Sequence, residues 1–466
     1  MCDKLIAEHR SASPLSPFGG EGRRNAAIFG VLFAIVAASH VVAAGPRPEF
    51  RVRDTRPKHD DAKLEQLGIA KFESRRLRLY TDIDSKLAKP LPPVMDQLYD
   101  VWEAQLGKLP PAPDKADFQM TGYLMKDREL FRKAELLPET LPGFAHGCHR
   151  GAEFWMDDQP TDYYRRHLML HEGTHCFMTA IPTDTRTTVW YFEGAAELFA
   201  THTLNAAGKA TFGVMPHNRE DFPGLGRIKL VMDDAAEGKD KDVASIWSLT
   251  PGDFQQNSMY AWSWALCKFL DAHPRYRERF QSLLPVVRQP DPKRQVADLF
   301  AEDWTQLQTE WMLFVTNLRH GYDIERAAIE FKPVKPLVSG SPPVKLTIAA
   351  DRGWQSAGVT VREQQTIRIT ASGRFSLAKQ PKPWLSEPQG VSIRYHRGEP
   401  VGKLVAIIVP DDLQLPGQTF GPSKTLPVGR ATELTAPLAG TLFFRVNDHW
   451  NELSDNAGEV SVEMHP

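Results

Sequence analysis

Residues 171–175 read His-Glu-Gly-Thr-His, and Glu193 and Glu197 follow within Trp190-Tyr191-Phe192-Glu193-Gly194-Ala195-Ala196-Glu197. On a helix His171 and His175 are one turn apart, so both imidazoles leave the same face and can share one metal ion. Zinc suits such nitrogen and carboxylate donors. Glu172 lies beside them, placed to hold and deprotonate a water at that ion. A third ligand is needed, and Glu193 can supply it. Glu197 sits one turn further on the same face. There its carboxylate can accept the remaining N–H of a ligand histidine and fix the tautomer. The competing reading is a surface helix with solvated acidic residues.

These side chains require two helices brought face to face. Pro160-Thr161-Asp162 opens the first, with Thr161 as N-cap. Upstream, Val94, Leu98, Val101 and Trp102 recur as on an amphipathic helix spanning 94–106, and strands are predicted at 78–81, 118–124 and 152–156. Downstream the pattern is helical at 228–232, 259–272 and 306–318, and most aromatics of the middle segment read as core.

The two chemical segments resemble the gluzincin branch of the zincin metallopeptidases. Within it, Glu193-Gly194-Ala195-Ala196-Glu197 is similar to the signature of bacterial peptidase-MA-like proteins. Seventeen residues separate His175 from Glu193, and no His-x-x-Gly-x-x-His extension follows His175, which argues against the metzincin branch. The resemblance implies His171, His175 and Glu193 as zinc ligands, Glu172 as general base and Glu197 as the support behind a ligand histidine. It also implies a Tyr or His donor against the developing oxyanion, for which Tyr260 is the choice. His202 and His217 are the other candidates, each read first as a structural or surface histidine. By the same resemblance, Ala152–Met156 is the edge strand that receives an extended peptide by strand addition.

At 466 residues the chain is long enough for two or three domains. With 56 Lys and Arg against 58 Asp and Glu, its charge points neither to nucleic acid nor to an electrostatic membrane partner. Arg23-Arg24, the apolar run Ala26–Ala38 and Val42-Ala43-Ala44 read as a secretory signal, with a membrane anchor over 25–44 as the alternative. Export to the periplasm or beyond follows from the first, and membrane contact only from the second. After cleavage Cys148, Cys176 and Cys267 remain, an odd number that permits one disulfide and a leftover thiol. Cys176 points away from the ligand face and reads as core. Cys148, in His146-Gly147-Cys148-His149, reads as a loop or disulfide residue, with a second metal site as the rarer alternative.

Pro and Ser/Gly clusters at 332–343 read as a linker, and beyond it short alternating strands indicate a β-sandwich. Gly353-Trp354, Ile369-Thr370-Ala371-Ser372-Gly373 and Phe444-Arg445-Val446-Asn447-Asp448 through Asp455-Asn456-Ala457-Gly458 resemble the galactophilic calcium-dependent bacterial lectin. That resemblance implies a jelly-roll-like sandwich over 344–466. It implies calcium held by Asp448, Asp455 and Asn456 with the carbonyls of Leu377 and Glu452, and sugar contact at Gln389. Hard oxygen donors of this number suit calcium. A turn cluster closing a sandwich loop is the plainer alternative.

The expectation is thus a leader with signal or anchor (1–44), a tail (45–74), an α+β zincin-like metallopeptidase domain (75–331), a linker (332–343) and a lectin-like all-β sandwich (344–466). The expected function is zinc-dependent peptide hydrolysis on an exported peptide or protein substrate, with a module for calcium and a cell-surface glycan. The alternatives are a glycan-binding or adhesion protein with a degenerate zincin domain, and a zinc amidase acting on cell-wall peptides.

Overall fold

The computed structural model describes residues 50–466, except 142, 182–187, 221–225, 288, 290, 381 and 411–424. The leader and its apolar run lie outside the described residues. No described helix is long and apolar enough to cross a membrane.

The first part is mixed α/β. Five strands, β1 (Ala70–Glu73), β2 (Leu77–Thr81), β3 (Met120–Met125), β4 (Gly147–Arg150) and β5 (Glu153–Asp157), form one sheet in the order β1-β2-β3-β5-β4. The central pairs β2/β3 and β3/β5 are parallel, and both outer pairs antiparallel. Over the sheet pack α1 (Leu91–Leu106) and α2 (Asp162–Thr179). Next come α3 (Val189–Ala200), α4 (Arg227–Ala236), α5 (Asn257–Ala272) and α6 (Trp304–Asn317). Leu98, Trp102, Met169, Phe177, Trp190, Phe199, Trp262 and Trp264 are all buried in one continuous core.

Part of the segment expected as a tail is structured. Asp61–Gln66 is a helix capped by Asp60, and β1 pairs with β2. Residues just before it lie along the body: Val52 N–H donates to Ala180 O (2.9 Å), and His59 Nε2 is 2.8 Å from Tyr123 Oη.

The C-terminal part is β-rich, with β6 (Val344–Ala349), β7 (Gln355–Val361), β8 (Thr366–Ser372), β9 (Gln389–His396), β10 (Glu399–Val409), β11 (Ala431–Thr435), β12 (Gly440–Val446) and β13 (Glu459–His465). One sheet runs β9-β10-β12-β7 and continues into Lys335–Pro336, while the other runs β11-β8-β13-β6. Ile367, Ile369, Val460 and Val462 of one face Leu404, Ala406, Ile408, Leu442 and Phe444 of the other across a shared core. The Pro-rich connection is tied in at this point. Lys335–Pro336 pairs in parallel with β7, and Leu337 is buried in the sandwich.

The opposite face of the larger sheet is covered too. Val405, Ile407, Val409 and Phe443 belong to the core of the helical part, with Tyr322 stacked on Trp450 at 5.1 Å. The run Leu404–Val409 is therefore apolar at every position because both its faces are buried, the pattern of a strand covered on two sides. Polar bonds cross the same junction: Trp450 Nε1 donates to Asn317 Oδ1 (3.0 Å), and Gly353 N–H to Arg326 O (2.8 Å).

Candidate metal centre

Helix α2 starts where Thr161 caps it, its side chain accepting from Tyr164 N–H at 3.2 Å. Its last turns are buried on all sides, including His171, Glu172 and His175. Helix α3 lies against both α2 and α5. Gly194 makes that approach feasible, since a Cβ there would sit 2.5 Å from Ser263 O and 2.6 Å from Cys267 Sγ. This close seating turns Glu193 toward α2. His171 Nε2 and His175 Nε2 are 3.1 Å apart, and Glu193 Oε2 lies 3.4 and 3.3 Å from them. Zinc–ligand distances of about 2.0–2.1 Å around a tetrahedron place donor atoms roughly 3.3–3.4 Å apart. The three donors fit a zinc ion in both type and spacing. Among the described residues they are the one His/Cys/Asp/Glu group that could hold a metal.

Glu197 stands behind this triangle. Its Oε1 is 3.1 Å from His171 Nδ1, on the opposite side of the ring from the Nε2 that joins the triangle. The same carboxylate receives two N–H bonds from Arg227, at 2.7 Å each, and Oε2 is 3.2 Å from His167 Nε2. Burial penalises the Glu197 charge, but Arg227 first and the histidines next outweigh it and hold the pKa well below the usual range. Burial likewise opposes protonation of His171. Contacts with Glu193 and Glu197 overcome it and push the pKa up to about 10. Glu193 is driven below its ordinary range by His175 and His171 despite burial. Two buried carboxylates thus concentrate negative charge around the two imidazoles.

Glu172 faces β4. Gly147 has no Cβ where the Glu172 carboxylate passes, and a side chain there would collide with Oε1. Two residues on, His149 projects to the same side of the strand, its ring stacked on His175 at 4.5 Å and its Nδ1 3.7 Å from Glu172 Oε2. Burial, then the nearby His175, keep the His149 pKa low. The expected edge strand is corrected here. Residues 153–157 pair with β3 on one side and β4 on the other, so β4 is the edge. Its outer side pairs with no strand among the described residues.

Tyr260, in the first turn of α5, comes to the site with its ring 6.2 Å from that of His171 and 5.6 Å from the Arg227 guanidinium carbon. His202 does not face the donors. Its Nδ1 is 2.8 Å from Ala200 O, its Nε2 accepts from Arg166 (3.0 Å) and its ring stacks on Tyr163. His217 is exposed near Gly321. Burial depresses the His202 pKa to about 3. Because the unfolded chain protonates this residue near pH 6.5, it binds more protons than the folded protein between pH 6.5 and 3. Stability therefore falls as pH drops through that window, by up to about 1.4 kcal/mol per unit from this group. Urea titrations of wild type and His202→Asn should show a flatter pH slope in the variant, and parallel slopes would refute the assignment.

Cys148, Cys176 and Cys267, the described cysteines, are buried, and no disulfide forms among them. Cys176 Sγ lies under the helix, 3.5 Å from Glu153 O, and Cys148 Sγ is 3.7 Å from His149 O. No separate metal cluster forms at 146–149 among the described residues. Three residues of the site stand outside the two motifs. His167 precedes His171 by one turn, a third histidine on that helix face. His149 lies next to Cys148 in the His146–His149 cluster. Arg227 carries no local signal.

In the β-rich part, Asp448 and Asn456 are buried and joined, Asn456 Nδ2 donating to Asp448 Oδ2 (3.0 Å) and to Ala350 O (3.1 Å). Asn456 Oδ1 and the neighbouring Asp455 Oδ1 are buried with no hydrogen-bond partner among the described residues. Ser376 bridges to Ala457, which brings the adjacent Leu377 to the same loop, and Glu452 Oε1 binds Arg394 at 2.6 Å. Burial raises the Asp448 pKa to about 6. Gln389 lies at the exposed start of β9, paired with Lys403, and no hydrogen bond among the described residues joins it to this cluster.

No protein-family model and no curated protein matches the chain. Among solved structures it is similar to one described as "EclA N-terminal domain; PllA-like lectin", with 26% identity over 26% of this chain and 93% of that chain and a TM-score of 0.20.

Proposed function

We propose that this protein is a zinc-dependent peptidase of the gluzincin kind. The observation that carries this reading is the convergence of His171 Nε2, His175 Nε2 and Glu193 Oε2 on one point, 3.1–3.4 Å from one another. When bound there, zinc would supply positive charge that polarises the scissile carbonyl and acidifies water. The chain's own residues do the rest. The outer edge of β4 offers backbone N–H and C=O groups to an extended substrate. Glu172 takes the proton from the attacking water and returns it to the leaving nitrogen. Tyr260 lends a donor to the carbonyl oxygen as negative charge builds on it. Glu197, anchored by Arg227, keeps His171 turned with Nε2 inward.

Metal analysis tests the ligand set. Purified wild-type protein should carry one zinc, and Glu193→Ala should lose most of it under mild chelation. A variant that holds zinc as tightly as wild type removes Glu193 from the set, and a wild type without zinc ends the reading.

A second ion is proposed for the β-rich part, because two buried oxygens there, Asp455 Oδ1 and Asn456 Oδ1, lack partners beside Asp448. Their hard oxygens, with the Leu377 and Glu452 carbonyls, suit calcium, and a glycan hydroxyl is an oxygen donor that such an ion would accept. Calcium should raise the melting temperature of wild type but not of Asp448→Asn. Equal shifts in both would argue for a plain loop-closing cluster.

A further inference from the structure

Where the helical part meets the β-rich part, a cavity of about 370 Å3 opens well outside the metal centre. That size lies in the roughly 300–1,000 Å3 range of small-molecule sites. One part of its wall is apolar, formed by Met232 and Ala236 from α4 and Trp311 and Val315 from α6. Two arginines complete it, Arg319 just beyond α6 and Arg397 at the tip of the β9–β10 hairpin.

Among the described residues neither arginine forms an ion pair with a carboxylate. The Arg319 Nε is buried and finds no hydrogen-bond partner among the described residues. Burial lowers its pKa, and it lowers that of Arg397 further after burial has acted there. Asp240 also lines the cavity, but its sequence neighbour Lys241 does too, leaving three cations against one carboxylate. Arg397 is also held at a conformational cost. Its φ is +53°, followed by Gly398 at +80°, in a two-residue hairpin turn whose first position favours Asn, Asp or Gly. One Arg397 N–H bonds Thr316 O at 2.8 Å, which fixes the guanidinium while occupying one of its five donors.

We infer that this cavity binds an anionic amphiphile. A carboxylate or phosphate head meets Arg319 and Arg397, and a short hydrocarbon body lies against Trp311, Val315, Met232 and Ala236. A half-buried Arg319 whose Nε lacks a partner, beside an exposed Arg397 held over the same cavity, with no ion pair to either among the described residues, favours a bound anion. The apolar part of the wall, with Met232 exposed at 44%, accounts for why a bare ion would leave the site half filled.

Calorimetric titration of the full chain with octanoate, octyl phosphate, octanol and inorganic phosphate tests this. Saturable one-to-one binding of octanoate or octyl phosphate is expected, at least tenfold tighter than octanol or inorganic phosphate, and the tighter of the two identifies the head group. Arg319→Gln should weaken octanoate at least tenfold while leaving octanol unchanged. Ala236→Trp fills the cavity with both arginines intact and should abolish binding, which keeps the test decisive if Arg319→Gln fails to fold. Octanol binding as tightly as octanoate, undiminished binding in Ala236→Trp, or no saturable binding of any of the four would overturn the proposal.

Discussion

Glu172→Gln should retain zinc and lose peptide hydrolysis by roughly 10²–10⁴-fold, the span that a positioned general base contributes. The substitution changes chemistry at almost constant shape. Glu172 is buried at 5% exposure, with its carboxylate running past Gly147 toward His149, so an amide of the same size fits the same space. It cannot accept the proton. Because Glu172 is not among the three converging donors, metal content should not change. The measurement is cleavage of a fluorogenic peptide library beside zinc stoichiometry on the same preparation. Loss of activity together with zinc would assign Glu172 to holding the site together. Undiminished cleavage by the variant would remove it from the chemistry.

Arg227→Met should destabilise the metal-free protein by about 3–5 kcal/mol, the cost of stripping a buried carboxylate of its partner. Arg227 makes two bonds of 2.7 Å to Glu197, whose side chain is 3% exposed. A surface pair would yield only about 0–1 kcal/mol. The sign with pH follows from the direction of the shift. Glu197 has its folded pKa below the ordinary carboxylate value, so the stability it contributes is present above about pH 4.5 and lost as pH falls through its folded value. Adding Glu197→Gln should restore part of the loss, because the unpaired charge is gone, and the double-mutant cycle measures the coupling. The variant should also hold zinc about 10–100-fold more weakly, since Glu197 then loses the group that fixes it behind His171. Urea denaturation of the four proteins in chelator decides the matter, and a change under about 1 kcal/mol would mean the pair behaves as if exposed.

The donors could be read in the sequence because helical spacing puts His171 with His175, and Glu193 with Glu197, on one face of their own helices; the seating of α3 at Gly194 then turns the two faces together. The cap at Thr161 was visible for the same reason: its effect is local. What escaped depends on pairing in space. Gly147-Cys148-His149-Arg150 has no alternation of apolar and polar residues, so nothing marks it as a strand. Its place as the sheet edge is set by Trp155 and Phe154 pairing opposite it. Which way His149 points follows from that register. Arg227 comes to Glu197 across thirty residues of chain. In the second half, Leu404, Ala406 and Ile408 were legible as an inward face. The burial of Val405, Ile407 and Val409 on the other side became evident only with the helical part beside them.

That doubly covered strand makes the two halves one melting unit rather than beads on a string. A chain cut after residue 343 would leave Tyr322 without Trp450, and Asn317 without its indole donor, on a newly wetted face. Such a fragment would be sticky and short-lived to proteases, even with every donor of the metal centre intact. The β-rich part and the half that carries the metal-centre residues are therefore a single folding commitment: the outer loops of the sheets could change far more readily than the module that carries them could be shed or exchanged.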